Sequence, residues 1–431
     1  MLRRPAVIDR PAFAWALYDW ANSAFSTTVM AGFFPVMFKQ YWSAGADVSA
    51  SSARLGFLSS IAGLLVALAA PALGAIADAG GSRKQFLLAT AGVGIAATAG
   101  LFFVPGGHWA AAAIVFIVAT AGFSASMIFY DAMLVDVSTP RTADFVSAYG
   151  FALGYLGGGL LFLVNIFMYR SPATFGIASP EDAARWSFLT VAAWWALFSI
   201  PLARRVRERA AAARAEGVAR RGLHDLAETL GHLRRHRVVL LFLLGYWFYI
   251  DGVHTIVRMG MDYGLSLGFP AGTLILSLLL IQFVGFPASL AFGKIGDRFG
   301  ARTGIYIAIV VYIGICIWGY RLSKPVEFYA LAVAIGLVQG GINSLSRSFY
   351  SRLIPEEQSA QFFGYYNTIG RFSAVLGPAV MGAVSLWTGN PRLSMLALIA
   401  FFIAGAMFLA RVRDPRLSSR ENIPPVSGAA K

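Results

Sequence analysis

About twelve apolar runs of roughly 20 residues, parted by short polar or basic segments, leave few folds open to this chain. Each run can cross a hydrocarbon core about 30 Å thick as a helix. Within lipid, only helices and closed barrels satisfy their own backbone groups. The first six lie near 13–38, 55–77, 86–104, 109–131, 144–169 and 186–202. The second six lie near 238–262, 271–293, 303–320, 327–348, 361–386 and 393–411. Only 13% of the 431 residues are charged, about half the share of a soluble domain. The expected fold is an all-α integral membrane protein with twelve transmembrane helices, hereafter spans one to twelve.

A net charge of +14 raises the question of nucleic acid, but its distribution points to the bilayer. If the amino terminus is cytoplasmic, 26 of the 35 Lys and Arg residues fall on the cytoplasmic side, among them Arg83, Lys84, Arg298, Arg302, Arg347 and Arg352. Ten of these are arginines between Arg204 and Arg237. This positive-inside asymmetry places both termini in the cytoplasm and requires no nucleic-acid partner; a bacterial cytoplasmic membrane is the expected location. Ala44-Gly45-Ala46 resembles a signal-peptide cleavage site, but the run before it is too long and carries Asp19 and Asn22. The lone cysteine, Cys316, excludes an internal disulfide and a Cys-rich metal site, and no cofactor is expected.

The chain repeats itself. Gly74, Asp78, Gly81 and Arg83 recur 219 residues later as Gly293, Asp297, Gly300 and Arg302, each set following the second span of a six-span half. The glycines there allow a tight turn and close helix approach, and the arginines anchor at the anionic inner surface. In span one, Asp19, Asn22, Ser23 and Ser26 fall within an arc of roughly 100°. Asp251, His254, Thr255 and Arg258 repeat that stripe in span seven. Thr120, Ser124 and Asp131 of span four align with Gln339, Asn343 and Tyr350 of span ten. Spans three, six, nine and twelve have no charge in their interiors and are expected to face lipid. Residues 1–203 and 238–414 therefore read as two six-helix pseudo-symmetric halves. The Arg-rich segment 204–237, with Leu223, Leu226, Leu230 and Leu233 as an apolar stripe, reads as a linker lying on the inner leaflet, and 415–431 as a disordered tail.

A family resemblance rests on Tyr18-Asp19-Trp20-Ala21-Asn22-Ser23-Ala24-Phe25, on Gly150 to Gly159, on Gly336 to Phe349, and on Arg352 to Pro355. With Phe362-Phe363-Gly364-Tyr365 and Leu376-Gly377-Pro378, the chain resembles the major facilitator superfamily. Within it, the sequence is similar to the family of autophagy-related vacuolar amino-acid effluxers and their bacterial relatives. Asn343 departs from the Gln usual in that family, and Ala79 from the Arg usual in the superfamily. The resemblance implies the major facilitator fold and a transporter, not an enzyme, with an amino acid as the suggested substrate.

Counting inward from the cytoplasm, Asp251 lies about 20 Å deep, Arg371 about 15 Å and Asp19 about 9 Å. Arg371 is expected to balance Asp251 or to bind an anionic substrate group. Asn22, Ser23, Gln339, Asn343 and Asn367 complete the expected polar lining, although such amides also serve as helix glue. Asp19, Asp251 and His254 are the candidate proton carriers. Asp78, Arg83, Asp131, Asp136, Arg258, Asp297 and Arg298 are the candidate gating residues. The expected function is a monomeric secondary transporter for a small-molecule substrate, coupled to protons. An uncoupled facilitator of sugars or cell-wall fragments, or a non-transporting receptor on the same fold, is the alternative.

Overall fold

A computed structural model describes residues 8–43, 73–74, 77, 83–208, 236–267, 269, 271–388 and 390–412. Span two apart from those three positions, Asp78, linker residues 209–235 and the tail lie outside the described residues. So do the side chains of Arg258, Asp262 and Arg371. The regular structure described is helical throughout. Span one begins as an α-helix, Arg10–Ala24, and continues through π-helical turns at Phe25–Phe33 and Phe38–Trp42. Spans three to six are Arg83–Gly100, Trp109–Ala132, Ala143–Arg170 and Pro180–Arg205. Spans seven to nine are Arg237–Ser266, Ala271–Phe299 and Ala301–Arg321. Spans ten to twelve are Pro325–Ser351, Ser359–Thr388 and Pro391–Ala410. Among the described residues, nine helices are long and apolar enough to cross a membrane.

The helix starts follow local chemistry. Asp9 caps span one by accepting from the Ala12 N–H at 2.8 Å, with Pro11 beside it. Ser179 caps span six and Asn390 span twelve, each followed by a proline that has no N–H to leave orphaned. The backbone N–H of Lys84 at the start of span three donates to Glu208, whose carboxyl burial pushes above the usual carboxylate range. In the second copy of the glycine motif the helix runs on to Phe299 and Gly300, at φ +90°, turns the chain. Gly293 and Gly296 serve close packing instead. A Cβ at Gly293 would stand 2.7 Å from Ala148 Cβ, and one at Gly296 2.9 Å from Asp144 Cβ.

The halves repeat in space. Span one packs on spans five and six, and span seven on eleven and twelve. Span three packs on four and six, and span nine on ten and twelve. Across the halves, span five meets eight and ten, and span four meets eleven. The fragment of span two adds the symmetric contact, since a Cβ at Gly74 would collide with the Ala360 carbonyl of span eleven. Spans four, seven and ten are 61%, 67% and 61% buried, against 28%, 39%, 44% and 33% for spans three, six, nine and twelve. Burial thus separates the third helix of each triplet from spans four, seven and ten, while span five at 50% lies between and span eight at 33% falls with the outer group.

Basic side chains tie the outer helices at both ends. Arg185, early in span six, donates from Nη2 to the Phe102 carbonyl at 3.0 Å, and Lys84 donates back to the carbonyls of Ala203 and Val206 at 3.2 and 2.9 Å. In the second half Arg392 donates to the carbonyls of Tyr320 and Leu322, and Arg302 to that of Ala410 at 2.9 Å. Each cation meets carbonyls that a helix end leaves unsatisfied, where the dipole is negative.

A second repeat lies inside the bundle. Ser23 Oγ donates to Asp19 at 3.4 Å and Thr255 Oγ1 to Asp251 at 3.2 Å, both one turn along. Each pair sits against a fifth-helix glycine of its own half. A Cβ at Gly154 would stand 2.7 Å from Ser23 Oγ and 3.0 Å from Asp19, and one at Gly377 would collide with Thr255 and approach Asp251 to 2.7 Å. Gly154→Ala and Gly377→Ala should therefore each destabilise the purified protein by about 1–3 kcal/mol through overpacking. Gly382→Ala, with nothing within 4 Å, should leave its thermal unfolding in detergent unchanged.

Candidate functional site

The site is built around Arg347, near the end of span ten. It is 1% exposed, so its charge is answered by protein rather than water. Nη1 lies 3.0 Å from Asp131 Oδ1 of span four and 3.9 Å from Asp19 Oδ2 of span one. Nε donates to Ser147 Oγ at 2.9 Å, and Nη2 to the Ser147 carbonyl at 2.8 Å, both on span five. The guanidinium carbon stands 4.4 Å from the ring centre of Phe151, 4.9 Å from Trp15 and 5.3 Å from Tyr130. A weakly hydrated planar cation suits such a box of faces and carboxylates.

Local folding fixes this box. Trp15 stacks on Tyr130 with centroids 4.4 Å apart and donates from Nε1 to the Tyr130 carbonyl at 2.9 Å. Tyr130 Oη donates to Asp19 Oδ2 at 3.3 Å. Tyr18 Oη donates to Ser126 Oγ at 2.7 Å, and Tyr249 repeats that bond with Ser346 at 2.7 Å in the second half. Gly150 keeps the space clear, since a Cβ there would approach Tyr130 Oη to 2.8 Å and Arg347 Nη2 to 3.3 Å.

More links join the halves at the same end. Arg352 Nη1 lies 2.7 Å from Asp144 Oδ1, which also accepts from Ser348 Oγ at 2.6 Å. Asp144 opens span five, where a negative charge meets the positive helix end. Arg83 pairs with Asp136 at 3.5 Å and reaches across to the carbonyls of Glu356 and Glu357 at 2.9 and 3.2 Å. Farther along the bundle, Gln282 Nε2 of span eight donates to Thr27 Oγ1 of span one at 3.0 Å.

Of the residues singled out in the sequence, Asp19, Asp131 and Asn367 come together around Arg347. Asn367 Nδ2 donates to Asp131 Oδ2 at 3.0 Å. Asp251 lies elsewhere. Its Oδ1 accepts from Thr255 and from the Gly377 N–H at 3.0 Å, in a turn that Pro378 loosens by lacking an N–H. Asn22 donates to the Tyr18 carbonyl and Asn343 to that of Gln339, both at 2.8 Å within their own helices. Gln339, Asn343 and His254 are half-buried. Ser26 donates to the Ser23 carbonyl at 3.0 Å inside the π-helical turns. Asp297 is half-buried, and Arg298 is exposed with its guanidinium 5.2 Å over Phe299 of its own helix. Asp78 and the side chains of Arg258 and Arg371 lie outside the described residues.

Sequence reasoning counted Arg347 on the cytoplasmic side and gave it no place in the site, where the structure buries it among first-half partners. It also passed over Asp144, Ser147 and Arg352. The available signal was an arginine within the apolar window of span ten, opposite two acids flanking the loop between spans four and five. Among the described residues no three His, Cys, Asp or Glu side chains converge as a metal site.

Residues 10–138 and 135–421 match the profile of the family described as "Vacuole effluxer Atg22 like". The chain belongs to that family. This Atg22-like chain is 37% identical over 404 residues to the uncharacterized MFS-type transporter YxiO of Bacillus subtilis (strain 168), covering 93% of this chain and 94% of that one. Autophagy-related protein 22 of Coccidioides immitis (strain RS) is 23% identical over 532 residues, covering 94% and 87%. In fold, the Atg22-like chain is similar to the proton:xylose symporter XylE, with a TM-score of 0.71, 14% identity and coverage of 94% and 95%. The human organic anion transporter MFSD10 gives 0.72, 16% identity and coverage of 94% and 100%. The fold is that of the major facilitator superfamily. The Atg22-like chain is a multi-pass membrane transporter of that type, not an enzyme.

Removing one partner of a buried ion pair leaves an uncompensated charge, at about 3–5 kcal/mol. Arg347→Met alone and Asp131→Asn alone should each lower the thermal stability of the purified protein. The double variant should recover part of that loss, and a double-mutant cycle in detergent reads the coupling.

Proposed function

We propose that the chain is a secondary active transporter that moves a small polar metabolite, an amino acid first among candidates, by proton-coupled alternating access. The observation that carries this reading is Arg347, a cation of one half whose described counter-charges all lie in the other half. A pair buried on both sides is stable when docked, or when parted with each charge neutralised some other way. Parting would leave Asp19 and Asp131 together without their cation, and a proton is the smallest neutraliser. Tyr130 and Ser23 face Asp19, and Asn367 faces Asp131 with Tyr246 and Tyr366 of the second half near it.

In this reading Asp251 and His254 form the second half's protonation site. Asn22, Ser23, Gln339, Asn343, Asn367 and Arg371 line the substrate path. Asp131, Arg83 and Asp136 act as gates with Asp78, Arg258, Asp297 and Arg298. The placement of basic residues makes the Arg83–Arg352 end cytoplasmic, with both termini on that side of a bacterial cytoplasmic membrane. The monomer is the working unit, in two halves at 1–203 and 238–414. The relatives' names support the reading: "effluxer" fits movement of a metabolite, and XylE is a proton symporter of the same fold.

Reconstitution in liposomes with an imposed proton gradient tests it. Labelled amino acids should accumulate under the gradient and lose that accumulation with a protonophore. Asp19→Asn or Asp131→Asn should remove gradient-driven accumulation. Transport indifferent to the gradient and to both variants would favour an uncoupled facilitator. A protein that moves no solute under any gradient would be a receptor.

A further inference from the structure

Among the described residues, every recorded partner of the Arg347 guanidinium belongs to the first half. The two carboxylates come from spans one and four, the serine hydroxyl and carbonyl from span five, and the three aromatic faces from spans one, four and five. Within the first half, stacking and hydrogen bonds between Trp15, Tyr130 and Asp19 hold three of these groups in place. The first half alone thus presents a nearly complete receptor for a planar cation: two carboxylates, a hydroxyl, a carbonyl and aromatic walls. In the structure that receptor is filled by the other half's own side chain.

We infer that when the halves part at this end, the Asp19–Asp131–Trp15–Tyr130–Phe151 pocket takes the guanidinium or ammonium group of a cationic solute in place of Arg347. The inference rests on the alternating-access reading above and names the substrate class for it. Solute and Arg347 then compete for one pocket. A bound cation stabilises the parted state by supplying the charge that Arg347 withdraws, and its release is driven by the return of Arg347. A neutral solute would leave the two carboxylates uncompensated except by protons. Ser147 adds a constraint, because its Oγ donates to the Ser344 carbonyl at 2.8 Å while accepting from Arg347. Parting frees that hydroxyl for the incoming ligand.

The test pairs L-arginine with L-citrulline, which keeps the shape and loses the charge. In proteoliposomes holding the full-length protein, labelled L-arginine should show counterflow that L-lysine competes and L-citrulline does not. The half-saturating concentrations of L-arginine and L-citrulline should differ by roughly tenfold or more. Purified Arg347→Ala should be stabilised against heat by L-arginine in a saturable manner, more than by L-citrulline, and Arg347→Ala/Asp131→Asn should lose the response. Counterflow of L-leucine but not of L-arginine would overturn the cation pocket and leave the transporter reading standing. Equal responses to L-arginine and L-citrulline would overturn the pocket as well. If no solute moves at all, the transporter reading fails and the thermal shift of Arg347→Ala alone decides the pocket, whose absence would overturn it. If Arg347→Ala does not fold, the wild-type counterflow comparison decides.

Discussion

A guanidinium cut off from water must find its counter-charge in protein, and among the described residues Arg347 finds it by crossing from one half of the molecule to the other. That requirement fixes how the two halves meet. The approach of span ten to span five, the packing of span five on span eight, and the glycines that permit such close contact accompany the meeting of one cation with two acids. The neighbouring links, Arg352 to Asp144 and Arg83 to the carbonyls of Glu356 and Glu357, sit at the same end and are engaged in the same arrangement. Together they form one interface between the halves at that end of the bundle.

Duplication supplied the geometry, and the chemistry then diverged. Both halves set an aspartate and a hydroxyl one turn apart on their first helix against a glycine of their fifth. Asp19 looks across to the other half's arginine, whereas Asp251 accepts the backbone N–H of Gly377 within its own half. The first carboxylate therefore feels the relative position of the halves directly. The second is anchored in a helix whose ladder a proline has opened. A near-symmetric frame thus carries an asymmetric electrostatic load.

Much of this was legible in the sequence. Apolar length predicted the helices, the recurrence of Gly74–Arg83 at Gly293–Arg302 pointed to two halves, and uncharged interiors marked the outward-facing spans. Asp19 and Asp131 stood out because acids in apolar runs are expensive. Arg347 did not, because a basic residue near a helix end reads equally well as an anchor at the membrane surface. Only the long-range approach of spans four, five and ten distinguishes the two, and no local pattern encodes it. The motif's glycines read as permitting both a tight turn and a close helix face, and the structure divides the two roles: Gly300 turns the chain while Gly293 and Gly296 pack against span five.

The reciprocal basic caps on spans three and six, and on nine and twelve, have a mechanical consequence. Two antiparallel rods pinned near both tips can slide or splay only by breaking these bonds to helix-end carbonyls, so each outer pair is braced as a unit. With helix-end capping holding the outer pairs, the fit along the seam between the halves is left to the buried charges.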